Sequence, residues 1–374
     1  MQRNTTTKNR SAKNADAAFR VVPSLGHLKH MTDRVGLVQH ARFGEPFYDE
    51  GYSIDDNARA LTLMCDLSHE DNDGHADGDH ADIEDLATRY LAYVIEAWNP
   101  ASKRFRNFKS AELEWLEEQG SEDCHGRALH ALGHAANCTA WNHIAADARS
   151  GFEEALASTE PFTSPRAWAF TLLGIDEYLR SGEDRCSALQ HREMLTTRLL
   201  DLYQKVATDD WPWLEDILSY CNAKIPHALL RSGRAMGRDD IVEDALGMLT
   251  WLSEIHAGDD GHFVPIGSNG FYPKNGPRAV FDQQPIEAHA IVASSLDAYR
   301  LTSDPFWLDE ADRAFEWFLG HNHLGIPVGD SETGGCYDGL HQDRPNLNQG
   351  AESTLAYLMS CAEMRKHAAA YHAR

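Results

Sequence analysis

The sequence of 374 residues is short of positive charge and of long apolar runs. Lysine and arginine number 34 against 58 aspartates and glutamates, which gives a formal net charge of −24. Such a chain repels phosphate backbones and anionic membrane surfaces, so we expect neither nucleic acid nor a membrane as a partner. A run of about 18 apolar residues, as a membrane span requires, is also missing from the sequence.

Cysteine is scarce and shows no motif. The seven cysteines are odd in number, form no CxxC pair, and several lie in apolar helical patterns. We interpret them as free buried thiols in a reducing compartment, and we expect neither a metal site nor a cofactor. The N-terminus is basic and polar and lacks the apolar segment of a secretory signal. We therefore predict a cytoplasmic protein with a disordered tail over residues 1–18 and one domain over 19–374.

What the sequence does contain is an internal repeat. The segment SIDDNARAL at residues 53–61 matches SEDCHGRAL at 121–129, with Ser, Asp, Arg, Ala and Leu at the same offsets. Each copy is a polar or acidic cluster followed by an apolar run with few charges, which is typical of a buried helix. Weaker copies, which bring the number to six, begin at Ser164, Glu215, Gln283 and Asn346.

Helices of a second kind are predicted between the copies. Their apolar residues recur near i, i+3, i+4 and i+7, and their other faces are charged, so one face should be exposed. These helices are predicted at residues 23–35, 83–98, 140–158, 192–206, 239–255 and 305–320. Six buried helices that alternate with six amphipathic ones predict an all-α (α/α)6 barrel. Because neighbouring helices run antiparallel, the polar clusters of the inner helices should meet at one mouth.

Some connections are long enough to matter for function. Residues 102–110, 258–281 and 325–346 contain glycine and aromatic residues and lead into inner helices. Long ordered loops are more often functional than not, and these could form short β-hairpins around the mouth. The acidic loop 68–82 should lie at the opposite end of the barrel. It lacks the DxDxDG spacing of a calcium site, so we interpret it as a solvated loop.

Carboxylates at the starts of the inner helices are the candidate catalytic groups. Acids in a first helical turn are ordinary caps, worth roughly 0.3–1 kcal/mol each. Several acids at one mouth would repel each other, however, and such a site can hold one carboxyl as an acid and another as a base. The candidates for catalysis are Asp56, Glu352, Glu287 and Glu215.

The repeat separates Asp55 from Asp56. Consecutive residues at a helix start point about 100° apart, so one can cap while the other faces the cavity. Asp55 shares its repeat position with Asp123, whereas Asp56 is replaced by Cys124. We therefore expect Asp55 to belong to a repeated structural rim and Asp56 to face the substrate.

Further polar and aromatic residues near the helix starts are candidate substrate contacts. Gln284 and Gln349 precede Glu287 and Glu352 by three residues, an offset that places amide and carboxylate on one helix face. Flat aromatic rings suit the C–H faces of sugars, although Trp168 fits core packing equally well. The candidate binding residues are Asp55, Arg59, Trp115, Glu122, Asp123, His125, Arg127, Trp168, Trp211, Trp213, Tyr220, Asn222, Gln284, His289, Asp338 and Gln349. Arg59 and Arg127, at equivalent repeat positions, are expected to pair with acids inside the barrel.

Three long motifs carry a resemblance to a known family. HARFGEPFYDEGYSIDDNARAL, SEDCHGRALHALG and ETGGCYDGLHQDRPNLNQGAESTLAYL resemble a bacterial domain that occurs alone or fused to glycosyltransferases. That domain is assigned to the six-hairpin glycosidase superfamily, and the resemblance covers residues 24–365. It implies an (α/α)6 toroid with an oligosaccharide or glycan substrate and a glycosyltransferase as a candidate partner. Enzymes of the superfamily often use an N-terminal aspartate and a later glutamate, which Asp56 and Glu352 match.

The sequence leaves three functions open. The first is a glycoside hydrolase with Glu352 or Glu287 as the acid and Asp56 as the base, and inversion is favoured because a wide mouth leaves room for water. The second is a sugar epimerase or isomerase that uses the histidines at 125, 227 and 289, none of which belongs to an HExxH pair. The third is a non-catalytic, glycan-binding partner of a glycosyltransferase.

Overall fold

The computed structural model describes residues 23–68, 79–181 and 186–372. The tail predicted at residues 1–18 and most of the acidic loop predicted at 68–82 lie outside this part of the chain. Within the described residues, no helix combines the length and the apolar character that a membrane crossing requires.

Twelve α-helices form the described structure, and they alternate between an inner and an outer layer. In chain order they are α1 Gly26–His30, α2 Ile54–Leu67, α3 Asp79–Ala97, α4 Glu122–Ala136, α5 Asn142–Leu156, α6 Pro165–Tyr178, α7 Cys186–Val206, α8 Lys224–Met236, α9 Asp239–Ile255, α10 Pro285–Thr302, α11 Pro305–Glu316 and α12 Ala351–His372. The even-numbered helices contact one another in sequence order, and α12 contacts α2 to close a ring. Each odd-numbered helix packs outside this ring. The predicted all-α (α/α)6 barrel is confirmed.

Burial follows the two sequence patterns. Every residue of α6 from Arg166 to Tyr178 is buried, as expected of an inner helix with neighbours on all sides. The outer helix α9 instead buries a stripe that includes Ile241, Ala245, Met248 and Leu252 and leaves its charged face to solvent. The few charges of the inner helices and the amphipathic pattern of the outer ones therefore predict their layers.

Serine N-caps begin three of the inner helices. The side chains of Ser53, Ser121 and Ser164 each accept a hydrogen bond from the backbone N–H three residues later. Such a cap satisfies one of the N–H groups that a helix start leaves without a partner. The repeated serine therefore fixes the same point of entry in α2, α4 and α6.

Glycines allow α4 and α6 to pack backbone against backbone. A Cβ atom added at Gly133 would lie 2.1 Å from the carbonyl oxygen of Gly174, and one added at Gly174 would lie 2.5 Å from the carbonyl oxygen of Leu129. Any side chain at these positions would force the two helices apart.

Two predicted helix boundaries are wrong. The copy that begins at Glu215 does not start a helix there, because α8 begins at Lys224 and Ile217–Leu218 is a strand. The outer helix predicted over 23–35 is reduced to Gly26–His30. The other outer helices differ from their predicted bounds by a few residues at the ends.

Short strands build the loops at the mouth. The described residues contain five antiparallel pairs: β1 Ala41–Arg42 with β2 Glu45–Pro46, β3 Tyr52–Ser53 with β6 Phe108–Lys109, β4 Trp98–Asn99 with β5 Arg104–Phe105, β7 Ile217–Leu218 with β8 Tyr272–Pro273, and β9 Gly339–Leu340 with β10 Pro345–Asn346. The three connections predicted to carry hairpins all contribute strands. They lead into the N-terminal ends of α4, α10 and α12.

Candidate active site at the barrel mouth

A cavity of about 400 Å³ opens where the inner helices begin, and we call it the mouth cavity. Its volume lies toward the lower end of the roughly 300–1,000 Å³ range of small-molecule sites. The first turns of α2 and α12 and the N-cap of α10 form its helical wall. The sequence-predicted residues that line it are Asp55, Asp56, Arg59, Gln284, Asp338 and Glu352.

Two of the predicted catalytic carboxylates meet at one arginine. Arg59 Nη2 donates a hydrogen bond to Asp56 Oδ1 at 2.8 Å and another to Glu352 Oε2 at 3.2 Å. The Asp56 side chain is 4% exposed, whereas that of Glu352 is 43% exposed. A cation therefore occupies the space directly between the two carboxylate oxygens, where an inverting glycosidase would need room for water.

Burial raises the proton affinity of carboxyl groups at this site. It raises the pKa of Asp56 to about 6, against the opposing effect of Arg59, and the negative charge of Glu352 raises it further. Burial also raises the pKa of Asp55 and of Asp338. Desolvation disfavours a charged carboxylate, so a group such as Asp56 can exchange a proton near neutral pH.

Asp55 and Asp56 both line the mouth cavity, but their side chains differ in exposure. Asp56 is 3% exposed, and its carboxylate accepts a hydrogen bond from the N-cap Ser53 as well as from Arg59. The Asp55 side chain is 35% exposed, and its Oδ2 lies 3.3 Å from Arg127 Nε on α4. The side chain of Asp123, its counterpart in the repeat, likewise reaches the next inner helix, where Ser164 donates to it. The repeated rim contact and the pairing of both arginines with acids agree with expectation.

The half of the mouth formed by α4, α6 and α8 is filled by a polar network. Its centre is Arg166, which donates to Glu215 Oε2 at 2.7 Å, to the Tyr220 carbonyl oxygen at 2.6 Å and to Asn222 Oδ1 at 3.1 Å. The Tyr220 hydroxyl donates to Asp123 Oδ2 at 2.6 Å. These side chains satisfy one another and do not line the mouth cavity.

Two predicted catalytic glutamates are therefore misassigned. Glu215 is paired with Arg166 outside the cavity. Glu287 is 3% exposed, and its carboxylate accepts hydrogen bonds from the Cys221 backbone N–H and from Asn222 Nδ2. Burial raises the pKa of Glu287 to about 7. It anchors the segment before α8 and has no face toward the mouth cavity.

Two further predicted contacts are also structural. Glu122 Oε2 accepts hydrogen bonds from the backbone N–H groups of Thr163 and Ser164, so it caps the start of α6. Gln349 holds its loop through its backbone, donating to the Phe43 carbonyl oxygen. Neither residue lines the mouth cavity.

The tryptophans proposed as sugar platforms are mostly core residues. Trp213 is fully buried and stacks on Trp251, and Trp211 packs edge-on against the same ring. Trp168 is buried and donates its indole N–H to the Phe162 carbonyl oxygen. Buried rings cannot touch a ligand in the cavity, so this prediction is wrong for these three. Trp115 is half-buried against Tyr93 and also lies outside the cavity lining.

The histidines proposed as acid–base groups do not reach the mouth cavity. His125 is fully buried among Trp98, Phe105 and Phe162, and burial lowers its pKa to about 3. His227 and His289 contact Asp297 and Glu363, which line a different cavity at the opposite end of the barrel.

Sequence reasoning missed nine of the fifteen residues that line the mouth cavity. The missed residues are Gln39, His40, Ser53, Ile54, Asn107, Phe108, Asn346, Gly350 and Ser353. Several stand inside the motifs that carried the family resemblance, which was the available signal. Among the described residues, no group of three histidine, cysteine or carboxylate side chains is arranged to hold a metal ion. With four acids and one arginine in its wall, the cavity suits a neutral or cationic ligand better than an anionic one.

No family model matches this chain, and no curated protein matches it in sequence. Solved structures do match its fold. A sugar epimerase from a ruminal bacterium has a TM-score of 0.70 at 12% identity, over 95% of this chain and 98% of that one. The cellobiose 2-epimerase of Bacillus thermoamylovorans has a TM-score of 0.69 at 12% identity, over 98% of this chain and all of that one.

A hydrolase also shares the fold. The structure of an alpha-1,6-mannanase of Salegentibacter in complex with alpha-1,6-mannotetrose has a TM-score of 0.58 at 9% identity, over 95% of this chain and 98% of that one. That protein is an inactive variant in which two adjacent aspartates are replaced by alanine. At these identities the likeness shows a shared barrel of the kind found in carbohydrate-active enzymes, and the reaction must be argued from the site.

Proposed function

We propose that the protein is a sugar epimerase or isomerase that binds the open-chain form of a small neutral sugar in the mouth cavity. The observation that carries the proposal is the position of Arg59 between the carboxylates of Asp56 and Glu352. Two carboxyl groups that can transfer protons, with a cation beside them that can stabilise an enediolate, suit the interconversion of sugar epimers.

In the proposed reaction, the C1 carbonyl oxygen of an open-chain aldose lies near Arg59. The carboxylate of Glu352 removes the proton from C2, the C2–H electron pair forms the C1–C2 double bond, and the negative charge moves to O1. The guanidinium of Arg59 stabilises this charge. Asp56 then gives a proton to the opposite face of C2, the carbonyl forms again, and the epimer leaves. Proton delivery to C1, with transfer of the O2 proton, would give the ketose instead.

The assignment of these two roles follows from exposure and proton affinity. Glu352 has the more exposed side chain, so it is the better base toward a sugar in the cavity. Burial raises the pKa of Asp56 to about 6, so Asp56 can hold a proton near neutral pH and serve as the donor. In the reverse direction the two roles exchange. The similarity in fold to sugar epimerases supports this reading.

A glycoside hydrolase is the second candidate, because one observation favours it. Asp55 and Asp56 are adjacent aspartates that both line the mouth cavity, and replacing two adjacent aspartates inactivated the mannanase of similar fold. In that case Asp55 and Asp56 would be the working pair, since Arg59 separates Asp56 from Glu352.

The deciding experiment follows deuterium from heavy water into C2 of D-glucose, D-mannose and cellobiose by NMR, alongside release of reducing ends from mannan oligosaccharides. For a two-base epimerase, Glu352→Gln loses exchange with one epimer of a pair, and Asp56→Asn loses exchange with the other. The matched control is Asp216→Asn, since Asp216 is an exposed acid outside the cavity.

Other outcomes of this experiment would support a different function or contradict the proposed roles. Release of reducing ends without C2 exchange, abolished by Asp55→Asn, would replace the epimerase with the hydrolase. Sugar binding without either reaction would favour a glycan-binding partner of a glycosyltransferase. Full C2 exchange in both Asp56→Asn and Glu352→Gln would contradict the proposed roles.

A further inference from the structure

A second cavity, of about 520 Å³, lies at the end of the barrel opposite the mouth, and we call it the basal cavity. The second halves of α2, α4, α6, α10 and α12 and the whole length of α8 provide its wall. Within the described residues, it shares no lining residue with the mouth cavity. Nothing in the proposed reaction uses it.

Six cations and five carboxylates line the basal cavity, and the cations are the more exposed partners of the ion pairs at its opening, in a chain whose net charge is −24. Three ion pairs stand at the rim, and in each the cation is exposed while its carboxylate partner lies beneath it. The exposed side-chain fractions are 56% for Arg180 over 11% for Asp176, 40% for Arg300 over 20% for Asp297, and 61% for Lys366 over 16% for Asp66. A molecule that approaches this opening therefore meets positive charge first.

A basic stripe leads from this rim into the barrel. Lys224, His227, Arg231 and Arg234 of α8 all line the cavity, at spacings of three, four and three residues that place them on one helix face. The rise of an α-helix gives this stripe a length of about 15 Å. Arg234, at the exposed end, makes no ion pair with any described residue.

Lys224, at the inner end of this stripe, is a charged residue without a partner among the described residues. It is 8% exposed, and within the described part of the chain its ammonium makes no hydrogen bond and no ion pair. Burial lowers the pKa of Lys224, and Glu363 is the charge that opposes this effect most strongly. A cation without a partner in a largely buried position reduces stability, so contacts within the fold do not explain Lys224.

Helix dipoles explain the rim but not Lys224. The C-terminal ends of inner helices carry partial negative charge, which stabilises Arg180, Arg300 and Lys366. Lys224 is instead the first residue of α8, where the helix dipole is positive and disfavours a cation. Its neighbours in the cavity wall include Thr62 and His130, which offer further polar atoms to a ligand.

We propose that the basal cavity binds a small molecule that carries an oxyanion, either a phosphate or a carboxylate group. Lys224 pairs with this group at the deep end, and Arg234 and the rim cations draw it in. The acidic mouth cavity would repel the same molecule, so the two ends of the barrel select ligands of different charge.

Calorimetric titration of the full chain at pH 7 and constant ionic strength tests the proposal. The probes are inorganic phosphate, gluconate, glucose 6-phosphate and glucose, and potassium chloride keeps the ionic strength fixed. We expect the three anions to bind and glucose not to bind. Lys224→Met should weaken their binding about tenfold or more, since it removes a charged hydrogen bond. The control Lys103→Met changes the net charge equally at an exposed residue of a mouth loop and should leave binding unchanged.

Two further variants keep the test decisive. Arg234→Gln alters an exposed side chain and should weaken anion binding about threefold, which decides the question even if Lys224→Met does not fold. Glu352→Gln, at the other end, should bind the anions as the natural chain does, so the result is separable from any failure of the proposed reaction. Tighter binding of glucose 6-phosphate than of phosphate would identify a sugar phosphate, and equal binding a free oxyanion. No binding of any anion, equal binding of glucose, or undiminished binding in both Lys224→Met and Arg234→Gln would overturn the proposal.

Discussion

At the scale of single residues, Asp55 and Asp56 show how much of a side chain's environment can be predicted from its position on a helix. The offset of about 100° between consecutive side chains predicts that they differ, and they do. Arg127 of the next inner helix, α4, lies beside Asp55, whereas Ser53 and Arg59, three residues before and after Asp56, enclose Asp56. Only the partner of Asp55 comes from tertiary packing, so the local repeat could not predict the surroundings of Asp55.

The buried carboxyl of Asp56 should make stability depend on pH. Its pKa is raised from 3.8 to about 6, so the folded chain binds this proton more tightly than the unfolded chain does. The resulting stabilisation is present below the unfolded pKa and is lost as the pH rises through about 6, a total of about 3 kcal/mol. The variant Asp56→Asn lacks this titrating group, so its unfolding free energy should not show this loss. We therefore expect the difference in unfolding free energy, Asp56→Asn minus the natural chain, to rise by up to this amount between pH 4 and pH 7. Urea denaturation measures it, and a difference that stays constant with pH would contradict the prediction.

Glu287 should matter for stability rather than for chemistry. In Glu287→Gln, an amide N–H₂ faces the donors of Cys221 or Asn222, so one buried hydrogen bond is lost at a cost of roughly 1–3 kcal/mol. We expect the urea midpoint to fall while C2 exchange per folded molecule is kept. The exposed control Asp216→Asn should change neither quantity. Loss of exchange in folded Glu287→Gln would return this residue to the catalytic group.

At the scale of elements, the sequence predicted those helix starts that are fixed by an N-cap side chain. Ser53, Ser121 and Ser164 are N-caps followed by apolar runs, so α2, α4 and α6 could be placed from sequence. The start of α8 could not, because Ala223 at its N-cap makes no side-chain hydrogen bond. The preceding segment is held by Arg166 and Glu287 from two other helices, which no local pattern reveals.

The contact between α4 and α6 predicts a large effect from one methyl group. Gly133→Ala places a Cβ against the backbone oxygen of Gly174, so the helices must separate, at a cost of roughly 3 kcal/mol, the upper part of the usual range for overpacking. Gly247→Ala on the outer helix α9 meets nothing within 4 Å and should stabilise by roughly 0.5–1 kcal/mol. Chemical denaturation of both variants tests the pair. Equal effects would show that the two helices do not approach this closely.

At the scale of the whole molecule, the charge of −24 predicts a response to salt. Self-repulsion destabilises a compact acidic chain, and salt screens it, whereas the exposed ion pairs that salt also weakens contribute about 0–1 kcal/mol each. We expect the melting temperature to rise from 0.05 to 1 M potassium chloride, and equally in sodium chloride. Scanning calorimetry measures it, and a fall in melting temperature would show that ion pairs outweigh the net repulsion.

The barrel as a whole was predictable because its two helix classes differ in composition, but the position of its cavity was not. All six inner helices bring polar residues to the mouth, and sequence alone treats them as equivalent. Arg166 and Tyr220 fill the space near α4, α6 and α8, so the opening remains beside α2 and α12. Which part of a ring stays open depends on side-chain volumes that meet only after the ring has closed.

The closure of the ring by α12 against α2 also sets the moment at which the site comes into being. The mouth cavity takes Asp55, Asp56 and Arg59 from the first inner helix, and Asp338 and Glu352 from the last loop and the last inner helix. The ribosome synthesises the chain from its N-terminus, so the residues of the first inner helix are made early and those of the last loop and last inner helix are made late. A nascent chain without the last loop and α12 has only two of the four carboxylates of the mouth cavity, so this cavity is complete only after the last helix has been synthesised.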